Sequence, residues 1–82
     1  MAATVNVNGR VSDQEHASIS VFDHGFLYGE GVYETLRTYN GQLFLFDRHM
    51  RRLRTSSGML ALPVPLSDAA IDARFRATMI TS

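Results

Sequence analysis

Apolar and polar positions first alternate along this chain, then recur at helical spacing. In TVNVNGRVS, Val5, Val7 and Val11 alternate with polar neighbours on either side of Asn8-Gly9. Alternation of this kind marks a strand with one covered face, and Asn-Gly between two such runs signals a type I′ turn. Ala17 to Phe22 is a shorter alternation and predicts a further strand. Val32 to Tyr39 alternates again, with Tyr33, Thr35, Arg37 and Tyr39 on one face and Val32, Glu34, Leu36 and Thr38 on the other. Asn40-Gly41 is a second two-residue turn, and QLFLF after it predicts the returning strand. Such a turn sets Tyr39 opposite Gln42 and Arg37 opposite Phe44. Four of the five residues in 42–46 are apolar, which predicts cover on both faces.

Beyond Phe46 the period changes. Asp47 is the expected N-cap of a helix from Arg48 to about Ala61, stopped by Pro63 and Pro65. On a helical wheel Phe46, Met50, Leu53, Ser57, Leu60 and Ala61 gather on one side, the expected core face. Arg48, Arg51 and Thr55 point to solvent. His49, Arg52 and Ser56, spaced by three and four, form a polar stripe along the edge of the apolar face. A stripe there can reach over the rim of a pocket while packing holds its backbone, and an anion site could be built on it. Ser67 caps a second helix carrying Ile71, Phe75 and Met79 at i, i+4 and i+8, with no stop signal before Ser82. The fold class is therefore α+β: a small antiparallel sheet with helices on one face.

Composition narrows the function classes. A chain of 82 residues with 45% apolar content is one small globular domain, marginally stable without staples or a partner. It has no cysteine, which removes disulfides, thiolate zinc sites and thiol nucleophiles and fits a reducing cytoplasm. Eight arginines balance eight acids, so no net field favours nucleic acid or an acidic membrane. No apolar run reaches membrane-spanning length, and the N-terminus lacks the layout of a signal peptide. There is no lysine anywhere.

The segment DHGFLYGEGVYETLR places Gly25, Gly29 and Gly31 within seven residues. Glycines at that density suggest close backbone approach or positive φ. The spacing is not a Rossmann fingerprint, because it leads into a strand, and a P-loop would need a lysine. No metal-ligand spacing and no G-x-S-x-G is present, so no metal site is expected. The residues by themselves say only that this is an α+β domain with a possible anion site. A binding module built on Arg48, Arg51, Arg52 and Arg54 is the reading from another class. Those four spread around most of the helix and form no single patch, and the zero net charge argues further against it. A non-catalytic fragment that pairs with a full-length enzyme is a third reading.

Taken in order, Asp23-His24-Gly25, Tyr28-Gly29, Gly31-Val32-Tyr33-Glu34, Tyr39-Asn40-Gly41 and His49-x-x-Arg52-Leu53 resemble the N-terminal domain of class IV aminotransferases. These are the fold type IV pyridoxal-phosphate enzymes: branched-chain aminotransferases, D-amino-acid transaminases and aminodeoxychorismate lyases. The resemblance extends from VNVNGRVSDQEHASIS to SGMLALPVP. It implies an enzyme that binds pyridoxal 5′-phosphate, with Arg52 on the phosphate and His49 supporting it from one turn earlier. An Arg offers a planar fork that matches phosphate oxygens. Outside the motif it would be one more solvated helix charge. The resemblance further implies that Tyr33 lines the substrate pocket, that Tyr28 reaches a neighbouring subunit's pocket, and that Arg37 orients substrate or water. Tyr28 reads equally as a core or interface aromatic, and Arg37 reads first as a cross-strand partner. The glycines would let backbone pass close to substrate and to the dimer partner. Glu34 reads as a structural hydrogen-bonding residue.

The departure from the family is the missing lysine, which the chemistry needs to hold the cofactor and move the α-proton. In the family it lies in a larger C-terminal domain. Residues 1–82 are accordingly expected to be an N-terminal α+β fragment, inactive alone and with no catalytic residue of its own. The intact enzyme is expected to be a cytoplasmic homodimer or higher homo-oligomer acting on an amino acid and a 2-oxo acid such as 2-oxoglutarate, with no nucleic-acid or membrane partner. FDHGFLYGEGV leans towards the branched-chain branch. ETLR, where many of those enzymes have E-G-[IL]-R, leans towards the D-amino-acid transaminases or the lyases. The branched-chain branch is favoured.

Overall fold

Asn8 at φ 53° and Gly9 at φ 90° supply the two left-handed positions of a type I′ turn. The computed structural model, which describes residues 3–81, closes that turn between β1 (Thr4–Val7) and β2 (Arg10–Asp13). The pair is antiparallel, from Thr4 opposite Asp13 to Val7 opposite Arg10. Asn40 at 50° and Gly41 at 75° repeat the device between β3 (Thr38–Tyr39) and β4 (Gln42–Leu43). Tyr39 lies opposite Gln42, the register that loop length predicts. The Phe44 N–H donates to the Arg37 carbonyl at 2.8 Å, so the pairing also holds at the next position. The antiparallel structure is split into two separate hairpins. The α+β class stands.

One expected strand is shorter than its alternation suggests, and another is absent. Val32, Glu34 and Leu36 are half-buried and alternate with exposed Tyr33, Thr35 and Arg37, yet only 37–39 meets a neighbour. Alternation reports which side is covered, whereas a ladder also needs a second strand's N–H and C=O groups. The strand expected at 17–22 does not form. Ser20 turns the chain instead, its carbonyl accepting from Asp23 N–H at 3.0 Å and its hydroxyl from Phe22 N–H at 3.0 Å. Double cover of 42–46 is also absent, since Phe44 and Leu45 are each 46% exposed.

The glycine-rich loop contains a helical turn, α1 (His24–Tyr28). Asp23 caps it, accepting Phe26 N–H at 3.2 Å, and Gly29 ends it in the left-handed region at φ 65°. Gly25 is required by close approach: a Cβ there would lie 2.9 Å from the Glu30 carbonyl. These two glycines thus serve the chain's own turn.

Helix α2 (Phe46–Met59) begins two residues before the expected start. Its N-cap is Leu45, left-handed at φ 56° and without a side-chain cap. The left-handed corner swings the chain from β4 into the helix, and Asp47 falls in the first turn, where its charge faces the positive helix end. The helix also closes before Ala61. Leu62 N–H donates to Ser57 O at 2.9 Å and Ala61 N–H to Gly58 O at 3.1 Å, with Ala61 at φ 54°. That pair of bonds is a Schellman motif with alanine where glycine is usual. Helix α3 (Asp68–Thr81) starts as predicted, Ala70 N–H donating to Ser67 Oγ at 3.1 Å. The expectation about Ser82 lies outside the described residues.

Packing is thin. Met50, 2% exposed, is the one fully buried apolar side chain among the described residues. Phe46 meets Phe75 edge-on at 6.3 Å, and Arg54 reaches from α2 to Asp68 Oδ1 at 2.6 Å and the Leu66 carbonyl at 2.9 Å. Asn6 Nδ2 fastens β1 to α3 through the Arg74 carbonyl and Thr78 Oγ1. The expected core face of α2 holds at Met50 and Ser57 but not at Leu60, which is 52% exposed. Accessible surface is 6620 Å², against roughly 4,900 Å² from size scaling for a compact protein of this mass. Apolar side chains from Ile19 to Tyr28, with Tyr33 and Met59, lie open. Among the described residues no helix is long and apolar enough to cross a membrane.

Candidate functional site

The alternation over 32–37 puts one acid, Glu34, on the covered face between Val32 and Leu36. A carboxylate there must find donors, because burying it unpaired is costly. It finds them on α2. Glu34 Oε1 accepts from His49 Nδ1 at 2.6 Å and from Arg52 Nη2 at 2.8 Å, and Oε2 accepts from Arg52 Nε at 2.9 Å. His49 and Arg52 can share one acceptor because a spacing of three puts them on one side of the helix.

Exposure rises across the cluster. The side chains of Glu34, His49 and Arg52 are 9%, 17% and 66% exposed. The Nε–Nη2 edge of Arg52 is therefore turned inward and locked, while Nη1 has no hydrogen-bond partner among the described residues. Hydrogen bonds from Arg52, then from His49, hold the Glu34 carboxyl down at about 2, well below its ordinary 4.5. The same carboxylate raises the Arg52 guanidinium above its ordinary value. A carboxylate only accepts, so His49 Nδ1, 2.6 Å away, is the donor of that bond. Arg52 Nη2, 3.4 Å from Nδ1, accordingly spends its proton on Glu34. The outcome is a fixed guanidinium fork with an outward edge, beside an imidazole held through Nδ1. Such an arrangement can bind an oxyanion.

The structure joins the two expected cofactor residues, His49 and Arg52. It does not join them to the expected substrate residues. Tyr33 is 87% exposed. Tyr28, 68% exposed, ends α1 with its ring 4.7 Å from that of His24. Arg37 is exposed and accepts Phe44 N–H through its carbonyl, while its side chain has no hydrogen-bond or ion-pair partner among the described residues. Among the described residues no hydrogen bond or ring contact connects Tyr28, Tyr33 or Arg37 with the Arg52 cluster. Arg52 itself stands largely in solvent, 66% exposed. On the neighbouring face of α2, Arg48 and Arg51 edge an open depression of about 640 Å³ with Leu43, Leu45 and Phe46. Reading the sequence as a set of motifs understated Glu34, which is the centre of the cluster. Its position on a covered face was the signal.

Residues 31–79 match the family described as amino-transferase class IV. The chain is 43% identical over 63 residues to a Methanocaldococcus jannaschii protein provisionally named a branched-chain-amino-acid aminotransferase, covering 77% of this chain and 22% of that protein. It is 55% identical over 49 residues to the aminodeoxychorismate lyase of Bacillus subtilis, covering 60% and 17%. To the D-alanine aminotransferase of Bacillus licheniformis it is 33% identical over 69 residues, covering 84% and 24%. The chain thus spans no more than about a quarter of the length of these curated relatives.

Proposed function

The chain belongs to the class IV aminotransferases, and we propose that it builds the phosphate side of a pyridoxal 5′-phosphate site in an enzyme that moves an amino group from an amino acid to a 2-oxo acid. One observation carries this reading. Arg52, inside the His49-x-x-Arg52-Leu53 motif, is locked along one edge by Glu34 and open along the other. The donor that fits a phosphate is the open guanidinium edge of Arg52, with His49 one helical turn back bracing the carboxylate that holds it. The inner carboxylate is ion-paired by Arg52 and hydrogen-bonded by His49, which weakens its repulsion of an anion at the outer edge.

Pyridoxal phosphate, when bound, supplies the electron sink that the transfer needs. Arg52 binds and orients the phosphate, and His49 backs it. Tyr33 and Arg37 lie on the opposite face of the segment that carries Glu34, and their exposure supports a place along the substrate side of the pocket. Tyr28, Phe22 and Phe26 stand open, which supports cover by a second copy in a homodimer. No lysine is among these 82 residues, so the group that moves the α-proton is not one of them.

For the substrate we favour a branched-chain amino acid. The Methanocaldococcus relative and FDHGFLYGEGV support it. Thr35 and the 55% identity to a lyase favour aminodeoxychorismate as the second reading. The protein carrying this chain should be assayed with leucine, isoleucine, valine, D-alanine and aminodeoxychorismate. Transfer from the three branched-chain substrates to 2-oxoglutarate is the expected result. Pyruvate release from aminodeoxychorismate alone would replace the first reading with the second, and turnover of none of them would end both.

A further inference from the structure

We infer that Glu34 is a positioning residue that couples the cofactor side of the site to the substrate side, by pinning segment 32–37 to helix α2. The inference rests on the assignment of Arg52 to the cofactor phosphate.

Among the described residues no strand lies beside 32–36, and only Arg37, through its carbonyl, meets the β4 side of the hairpin, so no ladder fixes the segment's position. The side-chain hydrogen bonds from this segment to the rest of the described chain all converge on one carboxylate, Glu34. Both of its oxygens are engaged, by donors on two residues of a helix whose own position is set through buried Met50. Tyr33 precedes Glu34 and Arg37 follows three residues on, both on the exposed face. Where those two side chains stand is therefore decided by how Glu34 is held. An anion on the outer edge of Arg52 and a substrate against Tyr33 would press on one joint from opposite sides. Loss of the joint should then damage both binding events, whereas a residue that only holds phosphate should damage chiefly one.

The test uses Glu34→Gln, Glu34→Asp and Arg52→Ala in the full-length protein carrying this chain, with Arg51→Ala as the control. In the apo protein, ¹⁵N NMR of histidine should find His49 Nδ1 as a hydrogen-bond donor, and Glu34→Gln, which keeps an acceptor oxygen but loses the charge, should shift that Nδ1 resonance. In the loaded protein, Glu34→Gln should weaken cofactor affinity by roughly tenfold, the order of one charge-assisted hydrogen bond. At saturating cofactor it should also raise KM for the amino acid well beyond the value for Arg52→Ala. Glu34→Asp, which keeps the charge on a shorter stem, should lie between wild type and Gln on both scales; it carries the test if the Gln variant does not fold. An unchanged KM in both Glu34 variants, or an unchanged His49 Nδ1 resonance in Glu34→Gln, would overturn the coupling. Wild-type cofactor affinity in Arg52→Ala would instead overturn the phosphate assignment, while the NMR and KM results still judge Glu34.

Discussion

Replacing Arg52 by Ala isolates the fork from everything else on helix α2. The wild-type guanidinium spends its Nε–Nη2 edge on Glu34 and keeps Nη1 free for a phosphate oxygen. One charge-assisted hydrogen bond of this kind is worth roughly ten- to a hundredfold in a binding constant. Solvent screening of a side chain that is 66% exposed argues for the lower half of that range in this chain alone. Burial by the bound cofactor would move it upward. Arg52→Ala should therefore weaken pyridoxal phosphate binding by roughly ten- to a hundredfold. Arg52→Lys should recover little, because an ammonium is a single point charge and Glu34, at 9% exposure, competes for it. Arg51→Ala is the control. Arg51 is the adjacent residue, but it faces the open depression beside Leu43 and Leu45, and its loss should stay within roughly twofold. The assay is a spectroscopic cofactor titration of the apo variants in the full-length protein. If Arg51→Ala loses as much affinity as Arg52→Ala, the helix phase and the motif assignment both fail.

Three other outcomes are expected. Glu34 is depressed from 4.5 to about 2, so its stabilising effect is complete above its unfolded value and is lost as pH falls through about 2. An acid titration followed by circular dichroism should show Glu34→Gln losing the part of the acid limb between those two values, and coincident profiles would refute it. Gly29→Ala forces an alanine to φ 65° and Gly25→Ala sets a methyl 2.9 Å from a carbonyl, whereas Gly31 has open space around it. Gly29→Ala should destabilise by about 1 kcal/mol, Gly25→Ala by more, and Gly31→Ala by little. Ala61→Gly, at φ 54°, should stabilise by up to about 1 kcal/mol, and urea melts rank the four. Finally, the 82 residues carry no lysine, so borohydride trapping with pyridoxal phosphate should leave no adduct on any internal residue. Mass spectrometry of the peptides decides it.

Local chemistry determined much of this protein directly. Asn8-Gly9 and Asn40-Gly41 dictated two hairpins and their register, because few other dipeptides accept two consecutive left-handed residues. Ser67 set the start of α3 through a cap that needs only three residues of context. The spacing of His49 and Arg52 put both on one side of α2, and the ordered motifs named the family. Other features needed partners remote in sequence. Alternation over 17–22 and 32–36 could not say whether a neighbouring strand exists, and among the described residues none does. The left-handed corner at Leu45 moved the start of α2 because it joins a hairpin to a helix, a demand that no single residue announces. Above all, pattern put Glu34 on a covered face but could not say which donors would meet it there. That was decided when segment 32–37 was laid against α2, since a buried carboxylate is stable only where folding delivers N–H groups to both of its oxygens.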